Sequence, residues 1–89
     1  MKVQNMTSKN SGREVANQFI IRDDYGNTYF QSYSTIIVKV GGGKTILDQD
    51  SWDYSITTGK YRNQFLHENK AETERKIKSG RYELADLNS

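Results

Sequence analysis

The glycine run in Val38-Lys39-Val40-Gly41-Gly42-Gly43-Lys44-Thr45 is the first place to look for chemistry, because phosphate-binding loops also end in Gly-Lys-Thr. Such a loop needs a glycine five residues before the second one, so that successive backbone N–H groups curl round the phosphates, and a helix N-terminus facing them. Counting back from Gly43 gives Val38, and Thr45-Ile46-Leu47 continues as a β-like run, so both requirements fail. What remains is a hairpin: β-branched residues from Ile36 to Val40, glycines that tolerate positive φ, and a second short strand. Asp48, Asp50 and Asp53 suggest a calcium loop, which requires an oxygen ligand fifth, glycine sixth and glutamate twelfth. Trp52, Asp53 and Gly59 stand there instead. His67 is the sole histidine, which rules out a multi-histidine metal site and leaves an isolated exposed side chain. Asp23 and Asp24 have the residue type of an acid–base pair, but as loop neighbours they read as turn formers. No nucleophile has a recognisable base partner. The expectation is a chain that is not an enzyme and carries no cofactor and no metal.

Size and charge point the same way. Eighty-nine residues make one domain, which buries only roughly 60 to 65% of the surface its unfolded chain exposes, so the core is small and a cleft with its own supporting shell is hard to fit. There is no cysteine, hence no disulfide framework and no thiolate metal site. The first residues lack the apolar stretch of a signal peptide, and no apolar run approaches the roughly 20 residues of a membrane span, so the expected location is the cytoplasm. A net charge of +2 is too mild to announce nucleic-acid binding. Its distribution matters more, because Lys60, Arg62, Lys70, Arg75, Lys76, Lys78 and Arg81 face only Glu68, Glu72 and Glu74 within one segment.

The elements that would position these residues form an α+β domain: a small antiparallel sheet of about four to five strands, with two short helices inserted before the last strand. Residues 1–14 hold little that is apolar and read as a disordered arm, leaving 15–89 as the folded domain. Val15 to Arg22 reads as a strand closed by the turn residues Asp23-Asp24-Tyr25-Gly26-Asn27, and Thr28 to Tyr33 as its partner. The next strand, Ser34 to Val40, needs a bend or bulge near Tyr33-Ser34 to separate it. Alternation puts Tyr29, Gln31 and Tyr33 on one face and Phe30, Ser32, Ser34, Ile36, Val38 and Val40 on the other. Gly59 to His67 reads as a helix capped by Thr57 or Thr58, with Tyr61, Phe65 and Leu66 inward. Asn69 and Glu72 have capping-box spacing for a second helix over Lys70 to Ser79, which Gly80 ends, and Arg81 to Leu87 alternates as a closing strand. Trp52 reads as core.

Across Asn17 to Ile21, Tyr29 to Tyr33, Trp52 to Ser55 and Thr57 to Leu66, the sequence resembles small uncharacterised proteins encoded by phages, prophages and other mobile elements of low-GC Gram-positive bacteria. The likeness spans roughly residues 17 to 88 and carries over no functional residue. Such elements often encode short accessory proteins, anti-CRISPR proteins among them, that disable a host factor by occupying a functional surface. The resemblance therefore implies an inhibitor whose partner is a host protein, a defence or nucleic-acid-handling enzyme. On the residues themselves, Lys60, Arg62, Arg75, Lys78 and Arg81 are the expected contacts. The alternative partner is single-stranded nucleic acid, stacked on Tyr29 and Tyr33 beside the basic segment. A homo-oligomer formed through an exposed strand edge is the third reading.

Overall fold

A computed structural model describes all of residues 1–89. The chain runs β1 (Lys2–Thr7), β2 (Glu14–Arg22), β3 (Thr28–Ser32), β4 (Thr35–Gly41), β5 (Lys44–Asp48), α1 (Ile56–Leu66), α2 (Lys70–Lys78) and β6 (Tyr82–Ala85). The strands form one six-stranded sheet in chain order, antiparallel from β1 to β5. Only β6 is parallel to its neighbour, because the two helices carry the chain back across the sheet before it returns beside β5. The fold is thus α+β, with both helices before the last strand and one strand more than the sequence suggested.

The additional strand is β1. Residues 2–7 lie where a disordered arm was expected, and low apolar content was a poor guide because β2 supplies their order. The ladder pairs Lys2 with Arg22 through Asn5 with Phe19, and Met6 alone plugs the core at 3% exposure. Asn5 Nδ2 donates to the Val15 carbonyl at 2.9 Å, across the irregularity where β2 carries extra residues.

Turn chemistry fixes the hairpins. Gly42 and Gly43, both at positive φ, close the two residues between paired Gly41 and Lys44, so the glycine run is a turn and opens no helix. In the β2–β3 loop, Asp23 Oδ1 accepts from the Tyr25 and Asn27 N–H groups, each at 2.9 Å. Between β3 and β4, Tyr33 adopts φ 57°. A bulge follows: Phe30 pairs with Val38 but Gln31 pairs with Ile36, leaving Ile37 as the extra residue. Ile37 and Val38 therefore both turn toward the helices, and both are buried. Simple alternation put Ile36 on the Phe30 face. The bulge sends it to the opposite one.

The helices cover the face bearing Phe30, Val38 and Leu47, which with Met6, Ile37 and Tyr61 make the core. Phe65 stacks on Phe30 with ring centroids 5.9 Å apart. Trp52 is half-buried against this cluster. Helix α1 starts earlier than expected, capped by Ser55, whose hydroxyl accepts from the Thr58 N–H at 3.1 Å. That leaves Thr58 free to face inward and share a hydrogen bond with the Ser32 hydroxyl. His67 ends α1 in the left-handed region at φ 57° and donates its N–H to the Asn63 carbonyl. Helix α2 has the capping box: Asn69 accepts from the Glu72 N–H at 2.9 Å and donates its own N–H to Glu72 at 3.2 Å.

Candidate partner-binding face

The structure divides the cations of the 60–81 segment into two groups. Arg62, Lys70 and Lys76 hold the helices in place. Arg62 follows Thr58 and Tyr61 at the spacing that faces the sheet, and only 1% of it is exposed. Its guanidinium lies 5.3 Å from the Trp52 ring and donates to the Trp52 carbonyl at 2.7 Å, to Asn63 Oδ1 at 2.9 Å and to Asp53 at 3.3 Å. Lys70 Nζ takes the other Asp53 oxygen at 2.7 Å, which fastens the start of α2 to the loop before α1. Hydrogen bonding to Lys70, aided by Arg62, holds the Asp53 carboxyl below the usual range despite its partial burial.

Lys76 is tied to Glu68, whose side chain is only 3% exposed. Glu68 accepts from Lys76 Nζ at 2.6 Å, from Thr73 Oγ1 at 2.6 Å and from the Tyr82 hydroxyl at 2.8 Å. Burial alone would raise its pKa, but the bonds from Lys76, Thr73 and Tyr82 outweigh it and keep the group ionised. Burial and the bond to Glu68 raise the Tyr82 hydroxyl. One carboxylate thus joins the interhelical turn, α2 and β6.

The second group is free. Lys60, Arg75, Lys78 and Arg81 are exposed, and none belongs to the ion pairs of the fold. Arg75 and Arg81 line a shallow depression of about 410 Å³ with Glu72, Lys76 and Ser79. There Glu72 is engaged in the cap and Lys76 with Glu68, and neither arginine belongs to an ion pair of the fold. Lys78 lies one helical turn after Arg75. Lys60 sits apart, over the Tyr61 ring at 5.3 Å, in a depression of about 650 Å³ reached by Asp53 and Lys70.

Of the five expected contacts, therefore, Arg75, Lys78 and Arg81 gather at the end of α2, Lys60 stands on α1, and Arg62 is withdrawn into the interior. Sequence reasoning missed that burial because Trp52 and Asp53 reach Arg62 from the preceding loop. The expected pair of stacking tyrosines does not form either. Tyr29 lies half-buried on the sheet face away from the helices, where its hydroxyl donates to Asp23 Oδ2 at 3.0 Å. Partial burial and this bond raise its pKa. Tyr33, 60% exposed, is turned by its left-handed backbone toward the helix side, where it edges a groove of about 420 Å³ with Ser32, Tyr54, Ser55 and Thr58. A row of alternating residues cannot show that turn.

The acidic residues before α1 also serve the fold. Asp48 is buried and accepts the Leu87 N–H at 2.9 Å; burial would raise its carboxyl, but this and neighbouring hydrogen bonds hold it below the ordinary value. No group of three His, Cys, Asp or Glu side chains converges. No helix is long and apolar enough to cross a membrane.

The sequence reading offered the open face of the sheet only for its tyrosines and did not single out the apolar row across it. Val3, Ile21, Tyr29, Lys39, Ile46 and Glu83 lie side by side across its six strands, and Phe19 and Ile36 flank that row. The signal was the unbroken Phe19-Ile20-Ile21 and Ile46-Leu47, which place apolar groups on both faces of their strands.

The chain belongs to a family of unknown function, DUF8033, whose description matches residues 1–81 and so takes in β1 through α2. Neither a curated protein nor a solved structure matches it.

Proposed function

We propose that this member of DUF8033 is a non-enzymatic binding protein that presents the outside of its helical layer to a protein partner. In this reading it serves a phage or mobile element and blocks a defence or nucleic-acid-handling enzyme in the cytoplasm of its bacterial host, as an anti-CRISPR protein does. The observation that carries the reading is the division among the cations. Arg62, Lys70 and Lys76 are paired with Asp53 and Glu68, whereas Lys60, Arg75, Lys78 and Arg81 stand unpaired on the layer that the capping box and the Glu68 cluster tie together. Unpaired cations on one layer favour encounter with an acidic surface.

Charge reversal at Arg75 and Lys78 tests this directly. The double variant R75E/K78E changes stability by no more than about 0.5 kcal/mol, since both side chains lie on the surface, while capture of the partner from host lysate falls. Undiminished capture would remove the end of α2 from the interface.

A second reading, binding of single-stranded nucleic acid, draws support from the open sheet face, where Tyr29 lies beside Lys39 and diagonal to Phe19. Base stacking is worth roughly 1 to 3 kcal/mol, so Tyr29→Ala would weaken oligonucleotide binding about 5- to 150-fold, and affinity would drop steeply with salt. Fluorescence anisotropy at two salt concentrations measures both effects.

A further inference from the structure

The open sheet face poses a question that the helical layer does not answer. An antiparallel sheet with one solvated face normally alternates apolar residues inward with polar ones outward. Here the outward row is Val3, Ile21, Tyr29, Lys39, Ile46 and Glu83, with Phe19 and Ile36 adjoining it. Both helices lie on the other face, and the C-terminal residues reach only the β4–β5 end, where the Asn88 side chain bonds the Ile36 backbone and the Leu87 N–H bonds Asp48. Phe19, Ile21, Tyr29, Ile36 and Ile46 are each only partly covered by their neighbours, and Val3 is 58% exposed.

We infer that this face is the contact between two copies of the chain, packed sheet to sheet with the helical layers outermost. Area is the first argument. Six strands about 4.8 Å apart, each offering about five residues at roughly 3.4 Å, give a footprint near 25 Å by 17 Å. Two such footprints with their side-chain relief bury roughly 1,000 Å² in total, the size at which specific interfaces begin.

Charge complementarity is the second. Lys39 sits in the middle of the apolar row, half-buried, without a carboxylate partner in its own chain. A two-fold axis along the strands, between β3 and β4, lays β3 over β4 of the second copy and β2 over β5. Lys39 then meets the face of Tyr29 of the second copy, which a cation over an aromatic ring favours, and the reciprocal contact forms by symmetry. Ile21 meets Ile46 in the same way. At the margin Val3 meets the exposed Lys44–Glu83 ion pair, 3.6 Å long, which stays in water at the rim. The symmetry sets the four central groups of the row against compatible ones, and it holds whichever partner the helical layer takes.

The test uses the full chain in light scattering coupled to gel filtration, loaded at roughly 200 µM because interfaces near the small end of the range have micromolar affinities. The wild-type chain elutes at twice its mass of 10.3 kDa. I21E alone and I46K alone each elute as monomers. An equimolar mixture of the two recovers the dimer, because the carboxylate introduced at position 21 faces the ammonium introduced at position 46, while the remaining Ile21 meets the remaining Ile46. That recovery also shows that both variants fold. A wild-type chain that stays at 10.3 kDa overturns the inference, including one that binds a single-stranded oligonucleotide through Tyr29. So does dimerisation of I21E and I46K as strong as wild type, which would place the contact at a strand edge, and so does a mixture that fails to recover the dimer.

Discussion

Arg62 and Arg75 show how little residue type says about role. Both are arginines on helices of the same layer. Arg62 is buried over Trp52 with three hydrogen-bond acceptors, while Arg75 stands in water with no carboxylate partner. Arg62→Ala removes packed stem and bonded head together and is predicted to cost about 3 kcal/mol. Urea unfolding of R62A and R75A side by side checks this, since a cost for R75A beyond about 0.5 kcal/mol would mean that the division between structural and free cations is wrong. Asp23 offers a second residue-scale prediction. Its hydrogen bond with the Asn27 side chain, helped by the Asn27 N–H, lowers its pKa from 3.8 to about 2. A depressed carboxyl contributes stability that is complete above the ordinary value and is lost as pH falls through the folded one. Between pH 3.8 and about 2 the wild-type chain therefore loses stability that Asp23→Asn has already given up, and the two urea midpoints converge. A constant gap across that window would show that the carboxylate is not held there.

At the scale of elements, some features were legible and others were not, for physical reasons. The Gly42–Gly43 turn and the Asn69–Glu72 capping box are local: their residue types suffice for the backbone conformation, and both occur where the spacing placed them. Strand β1 is not local. Its polar residues carry no pattern of their own, and its order comes from the β2 ladder and one buried side chain. Met6→Ala is accordingly predicted to cost about 2 to 4 kcal/mol, a core-sized loss. Thermal unfolding of M6A settles it, because a residue in a disordered arm would leave Tm unchanged. The same distinction covers the candidate site. Arg75 and Lys78 were readable as surface residues because helical spacing places them away from Ile77, and Arg81 because it follows the glycine that ends the helix. Arg62 and Tyr33 were not, because a distant loop buries the first and a left-handed turn reorients the second.

For the whole molecule, the layers divide the work. The inner faces of sheet and helices make a small core, the outer face of the helices carries unpaired positive charge, and the outer face of the sheet carries apolar side chains. If both outer faces act as inferred, the assembly presents two cationic surfaces pointing away from each other, each available to one partner molecule. The most direct test of the proposed function is affinity capture from a low-GC Gram-positive host lysate, with and without nuclease, using the wild-type chain and R75E/K78E in parallel. The prediction is a discrete host protein that wild type retains after nuclease treatment and the variant does not. Material that nuclease releases from the wild-type chain, or equal capture by the variant, would contradict it.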